Sequence, residues 1–411
     1  MGAAGRDDSS RVGFKGFASA LAVIGLLTAT PSAAETPTFT KDIAPIFYKR
    51  CVACHRAGAV APMSLLTHAD ARPWARSIKQ KVTERAMPPW AADRSIGRWA
   101  NDPSLTDAEI QRVAAWVDGG APEGAPADLP PAPTFTDGWT IGTPDLIFTV
   151  PAVKVPADGA VPYTAVYLPT NLKKDLWLQG VEFRPKDRRA VHHIIATLVE
   201  PGTRREVGTL GHYVPGSTDM LIPAGMARLL PANTQIKLQL HYTTFGEAVT
   251  EVTEIGLLLA KAPPSSLRRV SNYSITKRRF AIPPGAPNHE VTSTDTLTQD
   301  LLVTSLHPHM HVRGKDFRYV VTYPDGREET LLWVPKYDFN WQTTYDYPEP
   351  KRLPKGSTIT AIAHFDNSPG NRYNPDPTAT VVWGEQTWQE MFIGYMGIVD
   401  PEPPSRSTAG R

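Results

Sequence analysis

The run SLHPHMHVRGK places His307, His309 and His311 at every second position. If the run is a strand, residues two apart point to one face about 6.5–7 Å from each other, and two imidazoles can converge on one metal ion. The same run can also be a solvated rim at a strand end. Two other runs bear on the choice. AVHHIIA supplies adjacent His192 and His193, and LQLHYTT places His241 at the end of an alternating apolar run. Adjacent residues on a regular strand face opposite ways. A site that uses both therefore requires a twist or bulge there, or rings that bind through different nitrogens. His68, His212, His289 and His364 stand apart from these groups and are expected at the surface or hydrogen-bonded in a core.

A second chemistry lies in CVACH. The pattern C-x-x-C-H is that of c-type haem attachment, with Cys51 and Cys54 as the thioether positions and His55 as the proximal ligand of the iron. These are the only two cysteines, so none is left for a structural disulfide. A redox dithiol would call for a βαβ context and a zinc site for a second Cys or His pair nearby; the sequence offers neither. Haem iron of this type often takes a Met as its other axial ligand, which raises the potential. Met87, in RAMPPW, is preferred to Met63. A helix-sized segment with Trp74, Ile78 and Val82 separates Met87 from His55, and the prolines after it stiffen its loop, whereas Met63 follows His55 by only eight residues.

The elements that must hold these groups fall into two textures. Residues 36–122 read as a small all-α cytochrome c-like domain. TKDIAPIFYKRCVACH has Ile43, Ile46 and Phe47 at helical spacing. LTDAEIQRVAAWVDGG begins with a Thr106/Glu109 capping box, carries Ile110, Val113, Ala114 and Val117 on one face, and ends at Gly119 and Gly120. A Pro/Ala-rich linker, 123–135, follows. Beyond it come short alternating runs broken by Pro, Gly and Asn, as in DLWLQGVEF, TQIKLQLHYTT and GSTITAIAHF. These predict two all-β antiparallel sandwich domains of jelly-roll-like form, 136–268 and 269–400, with a tail at 401–411.

Composition narrows the class. The 411 residues carry 43 basic and 41 acidic side chains for a net charge of +2, and no block of like charge, which speaks against nucleic acid or an anionic membrane surface as partner. Forty prolines and thirty glycines, scattered along the chain, suit a loop-rich β protein. Residues 1–34 have the order of a cleaved export signal: Arg11 and Lys15, the apolar run FASALAVIGLLT, then PSAAE. The apolar run is twelve residues long where a membrane span needs about 20. A periplasmic or secreted protein without a stable membrane span is expected.

The ordered set VHHIIA, LQLHY, HMHVRGK and QEMF, over roughly residues 135–400, resembles the copper type II, ascorbate-dependent monooxygenase family, which includes peptidylglycine α-hydroxylating and dopamine β-monooxygenases. The resemblance implies two β-sandwich domains, each holding one copper ion. It implies His192, His193 and His241 as the ligands of an electron-transfer copper. It also selects His309 and His311, followed by Gly314 and Lys315, and adds Met391 as the thioether ligand of the O2-activating copper. His307 is then left over, and Met310 and Met396 are decoys. The donor set fits copper on chemical grounds too, since two imidazoles and a thioether are soft enough for Cu(I), while zinc has no use for a thioether.

The function implied is hydroxylation of a C–H bond of an unknown small molecule with O2. Electrons would be relayed through the haem from an exported donor: a reduced cytochrome, a quinol-linked carrier or an ascorbate-like reductant. The alternative is a non-catalytic haem and copper electron-transfer protein.

Overall fold

The computed structural model describes residues 35–136, 138–214, 219–262 and 264–401. The expected export signal, 1–34, and nearly all of the tail lie outside them. Among the described residues no helix is long and apolar enough to cross a membrane.

The N-terminal part is helical. Phe39–Ile43 continues into Ala44–Arg50, and Ala75–Thr83 packs against Asp107–Asp118. The last helix starts where the sequence places it: the Thr106 hydroxyl accepts from the Glu109 amide at 3.2 Å, and the Glu109 carboxylate accepts from the Thr106 amide at 2.7 Å. Its buried stripe differs from the expected one. Val113 and Trp116 are fully buried while Ala114 is only half-buried, because the 3.6-residue period carried on from Val113 reaches Trp116. The Trp116 ring packs on Phe39 and Phe47, and its N–H donates to the Pro122 carbonyl at 3.0 Å. Trp74 stays largely outside this core at 44% exposure, unlike Ile78 and Val82.

The remainder is antiparallel β structure in two sandwiches. In the first, a four-stranded sheet in the order Thr164–Pro169, Gln235–Tyr242, Val191–Val199, Glu206–Tyr213 faces strands that include Leu176–Pro185 and Thr253–Leu259. Alternation along Gln235–Tyr242 sends Ile236, Leu238, Leu240 and Tyr242 into the core between the sheets and turns His241 the other way. In the second, the four-stranded sheet His289–Thr296, Thr358–Phe365, Gly314–Thr322, Glu328–Val334 covers Arg268–Thr276, Ile393–Val399, Leu301–His309 and Tyr345–Leu353.

The two sandwiches share a sheet. Arg268, Arg269 and Val270 pair in parallel with Met226, Ala227 and Arg228, and this junction makes one nine-stranded sheet from an outer layer of each sandwich. Parallel pairing here needs no crossover helix, because the strands belong to different sandwiches. A backbone continuous across the join fixes the relative position of the histidine-bearing strands.

Residues 88–101, between the last two long helices, leave the helical part and embed in the second sandwich. Ala92 belongs to that sandwich's core, with Trp90, Ala91 and Trp99 packed against it. The Asp93 amide donates to the Trp333 carbonyl at 2.8 Å, and the Ala100 amide to the Asp346 carbonyl at 2.8 Å.

Candidate metal centres

His192 and His193 reach one point because their strand is irregular there. Val191 pairs with Tyr242 and His193 with His241, so the register shifts by one residue across His192. That is the bulge that adjacent ligands require. The strand's approach is pinned by buried Glu251, whose carboxylate accepts from the Lys186 and Asp187 amides at 2.9 and 2.7 Å. The result is convergence through like nitrogens. His193 Nδ1 lies 3.2 Å from His192 Nδ1 and 3.4 Å from His241 Nδ1, and the potential ligand atoms of all three fall within 4.8 Å of one another. Among the described residues this is the one group of three or more His, Cys, Asp or Glu side chains so placed.

Three neutral imidazoles cannot satisfy one another in this arrangement, since each pair of facing nitrogens can share one proton and the remaining lone pairs repel. A cation at the focus removes the conflict. His193 Nε2 is buried with no partner, so its proton must reside on one of two poorly served nitrogens unless Nδ1 is bound to an ion. Burial keeps the rings in the uncharged form that binds metals. It lowers the His241 pKa to about 3, with the His192 charge adding to the effect, holds His193 well below the usual value and lowers His192 as well.

The second group lies on the edge of the other sandwich that faces these rings. His309 pairs with Ile393 and His307 with Tyr395, and the ladder ends there, with His311 two residues past one strand and Met391 two residues before the other. The His309 and His311 rings lie 5.3 Å apart, edge to face, close to the segment that carries Met391. His309 Nδ1 is held by Gln342 Oε1 at 2.7 Å and His311 Nδ1 by the Gln389 carbonyl at 3.1 Å, which leaves both Nε2 atoms as the available ligands. Both rings are buried, with pKa values lowered by burial to about 4 and about 3. Met310 and Met396 are fully buried in the core, whereas Met391 is half-buried beyond the end of its strand.

The turn after His311 is built around a buried carboxylate. Glu390 accepts from the His311 amide at 2.8 Å and the Arg313 amide at 2.7 Å, so the residue before Met391 grips the chain at His311. Burial pushes the Glu390 pKa up to about 8, against these hydrogen bonds and the Arg313 charge. Gly314 owes its place to space. A Cβ there would lie 2.8 Å from Met310 Cβ and 2.8 Å from the Tyr337 ring.

Sequence reasoning missed the stretch 339–345, which runs between the two groups. Phe339 stacks on His192 at 5.4 Å between centroids and meets His311 edge-on at 5.8 Å. Asn340 Oδ1 lies 3.4 Å from His192 Nε2, and Thr344 Oγ1 lies 3.1 Å from His307 Nδ1 and 3.5 Å from His212 Nε2. The left-over His307 is therefore a half-buried neighbour of His212, ring to ring at 5.2 Å, across the join between the sandwiches. Tyr163 makes a second bridge, packing on His241 at 4.5 Å and accepting from the Thr387 hydroxyl at 2.8 Å. Phe, Asn, Gln and Thr at irregular spacing leave no pattern by which this stretch could be found. Two of the other lone histidines have partners: His68 Nε2 lies 2.9 Å from the Ala121 carbonyl, and His364 Nδ1 lies 2.8 Å from Asp316 Oδ1.

In the helical part, Cys51 and Cys54 are both free and half-buried, and burial raises both thiols, Cys51 to about 12. His55 Nδ1 lies 3.3 Å from the Met63 carbonyl, which leaves Nε2 for a ligand and places the Met63 backbone on the far side of the ring from it. Two unpaired thiols and an imidazole oriented by a carbonyl fit covalent haem. A cavity of about 260 Å³ opens at Met87, lined also by Val82, Leu105 and Ile110.

Residues 39–117 match the family model described as cytochrome c oxidase, cbb3-type, subunit III. The N-terminal part is thus a cytochrome c domain, which implies covalently bound haem c, haem-mediated electron transfer and a redox partner. The match covers a minority of the chain and leaves the sandwiches unassigned. No curated protein matches the chain. Similar solved structures include the major capsid protein P2 of bacteriophage PM2, at 9% identity, 62% of this chain, 100% of that one and a TM-score of 0.28. The STIV MCP is similar at 8% identity, 55% and 97% coverage and a TM-score of 0.22. Likenesses at these scores carry no argument about this chain.

Proposed function

We propose that the chain is an exported copper-dependent monooxygenase that uses O2 to hydroxylate a C–H bond of a small molecule, with electrons delivered through its own cytochrome domain. The observation that carries the reading is the convergence of three Nδ1 atoms from His192, His193 and His241, with Phe339 packed between them and the second imidazole pair at His311. The trio would hold one copper. His309, His311 and Met391 would hold the other, and Cys51, Cys54, His55 and Met87 the haem. With the Met63 carbonyl 3.3 Å from His55 Nδ1, Met87 rather than Met63 would complete the ligands of the haem iron.

When bound, the metals supply the electron transfer and O2 chemistry. The chain's own residues do the rest. Gln342 and the Gln389 carbonyl fix the ring orientation of His309 and His311. Glu390 holds His311 beside the Met391 segment. Phe339 and Tyr163 close the space around the trio against water. The enclosure of His309 and His311, at 5% and 2% exposure, favours a second reading, a haem and copper electron carrier that admits no substrate.

The test is reductant-driven O2 uptake by haem-loaded protein, with and without copper, in the wild type and in Met391→Ile. Uptake that requires copper, forms a hydroxylated product from a panel of small molecules and is lost in Met391→Ile supports the monooxygenase. Uptake that ignores both copper and Met391 contradicts it, and copper-dependent haem reoxidation with no product from any substrate leaves the carrier.

A further inference from the structure

The stretch 339–345 meets the histidines of both groups and the cytochrome domain at once. Its N-terminal half serves the metal groups: Asn340 at His192, Phe339 at the trio and at His311, Gln342 at His309. Its C-terminal end is gripped by the segment 88–101. Asn101 Nδ2 donates to the Thr344 carbonyl at 2.7 Å, the Asp346 amide donates to Asn101 Oδ1 at 3.1 Å, and the Trp90 and Trp99 rings pack on Tyr345 at 4.9 and 5.5 Å.

We infer that this stretch is a positioning element shared by both copper centres, and that the cytochrome domain holds it in place through Asn101. The inference rests on the copper reading above. A ring that ligates through one nitrogen is aimed by whatever holds the other, and such partners contribute tenfold to hundredfold in metal affinity. Gln342 aims His309 and Asn340 aims His192, while Phe339 packs between the groups and limits how each can turn. Their backbone is continuous with Thr344 and Tyr345, so release of that end frees the partners of both centres together. None of these residues touches a reacting atom. Their role is to hold the ligands.

The contacts predict a pattern that general loss of stability would not give. Gln342→Leu should weaken one copper site by tenfold or more and alter only that site's Cu(II) EPR signal, and Gln342→Glu, which still accepts from the ring N–H, should restore it. Asn340→Ala should alter the other signal. Asn101→Ala, in the segment that the cytochrome domain inserts into the second sandwich and in contact with none of the ligands, should weaken both sites severalfold with melting temperature and haem spectrum unchanged. The measurement is copper titration of the full haem-loaded chain followed by EPR. Wild-type affinities and signals in Asn101→Ala, or losses that merely track melting temperature across the set, overturn the inference. A wild type that takes up no copper overturns the copper reading with it; a wild type with two coppers and indifferent variants overturns the inference alone.

Discussion

Gln342 Oε1 lies 2.7 Å from His309 Nδ1, inside the second sandwich, and both residues are buried. An amide oxygen only accepts, so the proton sits on Nδ1 and the lone pair on Nε2. The trio in the first sandwich is arranged the opposite way, with its Nδ1 atoms converging. The two groups differ in which ring nitrogen is left open as well as in composition, and each is set by hydrogen bonds that can be removed one at a time.

Glu390 is the point at which the second group is joined to its loop. Glu390→Gln keeps the shape but leaves one carbonyl oxygen to serve the amides of both His311 and Arg313. A buried amide left without an acceptor costs about 1–3 kcal/mol. We expect a lower urea midpoint and a changed Cu(II) spectrum at this centre, with the trio's spectrum intact.

Gly314→Ala tests packing without touching a ligand. The added methyl meets Met310, which is in the core, and Tyr337, which packs against it, at 2.8 Å. Overpacking of this kind costs about 1–3 kcal/mol. Urea denaturation should show the loss in the sandwiches, while the haem spectrum stays as it was.

Thr106→Ala addresses the cytochrome domain by itself. It removes the side-chain acceptor of the capping box, and the expected cost is about 1 kcal/mol of local stability, read as faster amide exchange along Asp107–Asp118.

Acid should destabilise the metal-free protein. Burial lowers His212 and His309 to about 4 and His241 and His311 to about 3, while an unfolded histidine titrates near about 6.5. Below that value the unfolded chain binds protons that the folded one refuses, so stability falls with pH at about 1.4 kcal/mol per unit for each group. Glu390, raised to about 8, works in the other direction, as do Glu251 and Asp346, which burial also raises; His192, His193 and His307, lowered by burial too, add to the four. Between pH 7 and 5 we expect a loss of more than about 2 kcal/mol by urea titration, and copper should reduce it. A flat profile would mean that the imidazoles are not buried in their neutral form.

The parts of this architecture that follow local rules can be read from the sequence. The capping box at Thr106 and the alternation along Gln235–Tyr242 are short-range patterns, and the structure has both. The bulge at His192 follows from asking how neighbours on a strand can share a face. Trp116 was missed as a core residue because several apolar side chains on that helix compete for the stripe, and packing against Phe39 and Phe47 decides between them. The parallel join of Arg268–Val270 to Met226–Arg228 has no local signature. Nor does 339–345, whose polar side chains acquire their role only when the two sandwiches close around them.

The most direct test of the account is the metal content of the purified, haem-loaded chain. Two coppers and one haem per chain are predicted, with one copper lost in His241→Ala and the other in Met391→Ile. One copper or none beside a normal haem would contradict the account and leave a cytochrome joined to a pair of β-sandwiches with some other use.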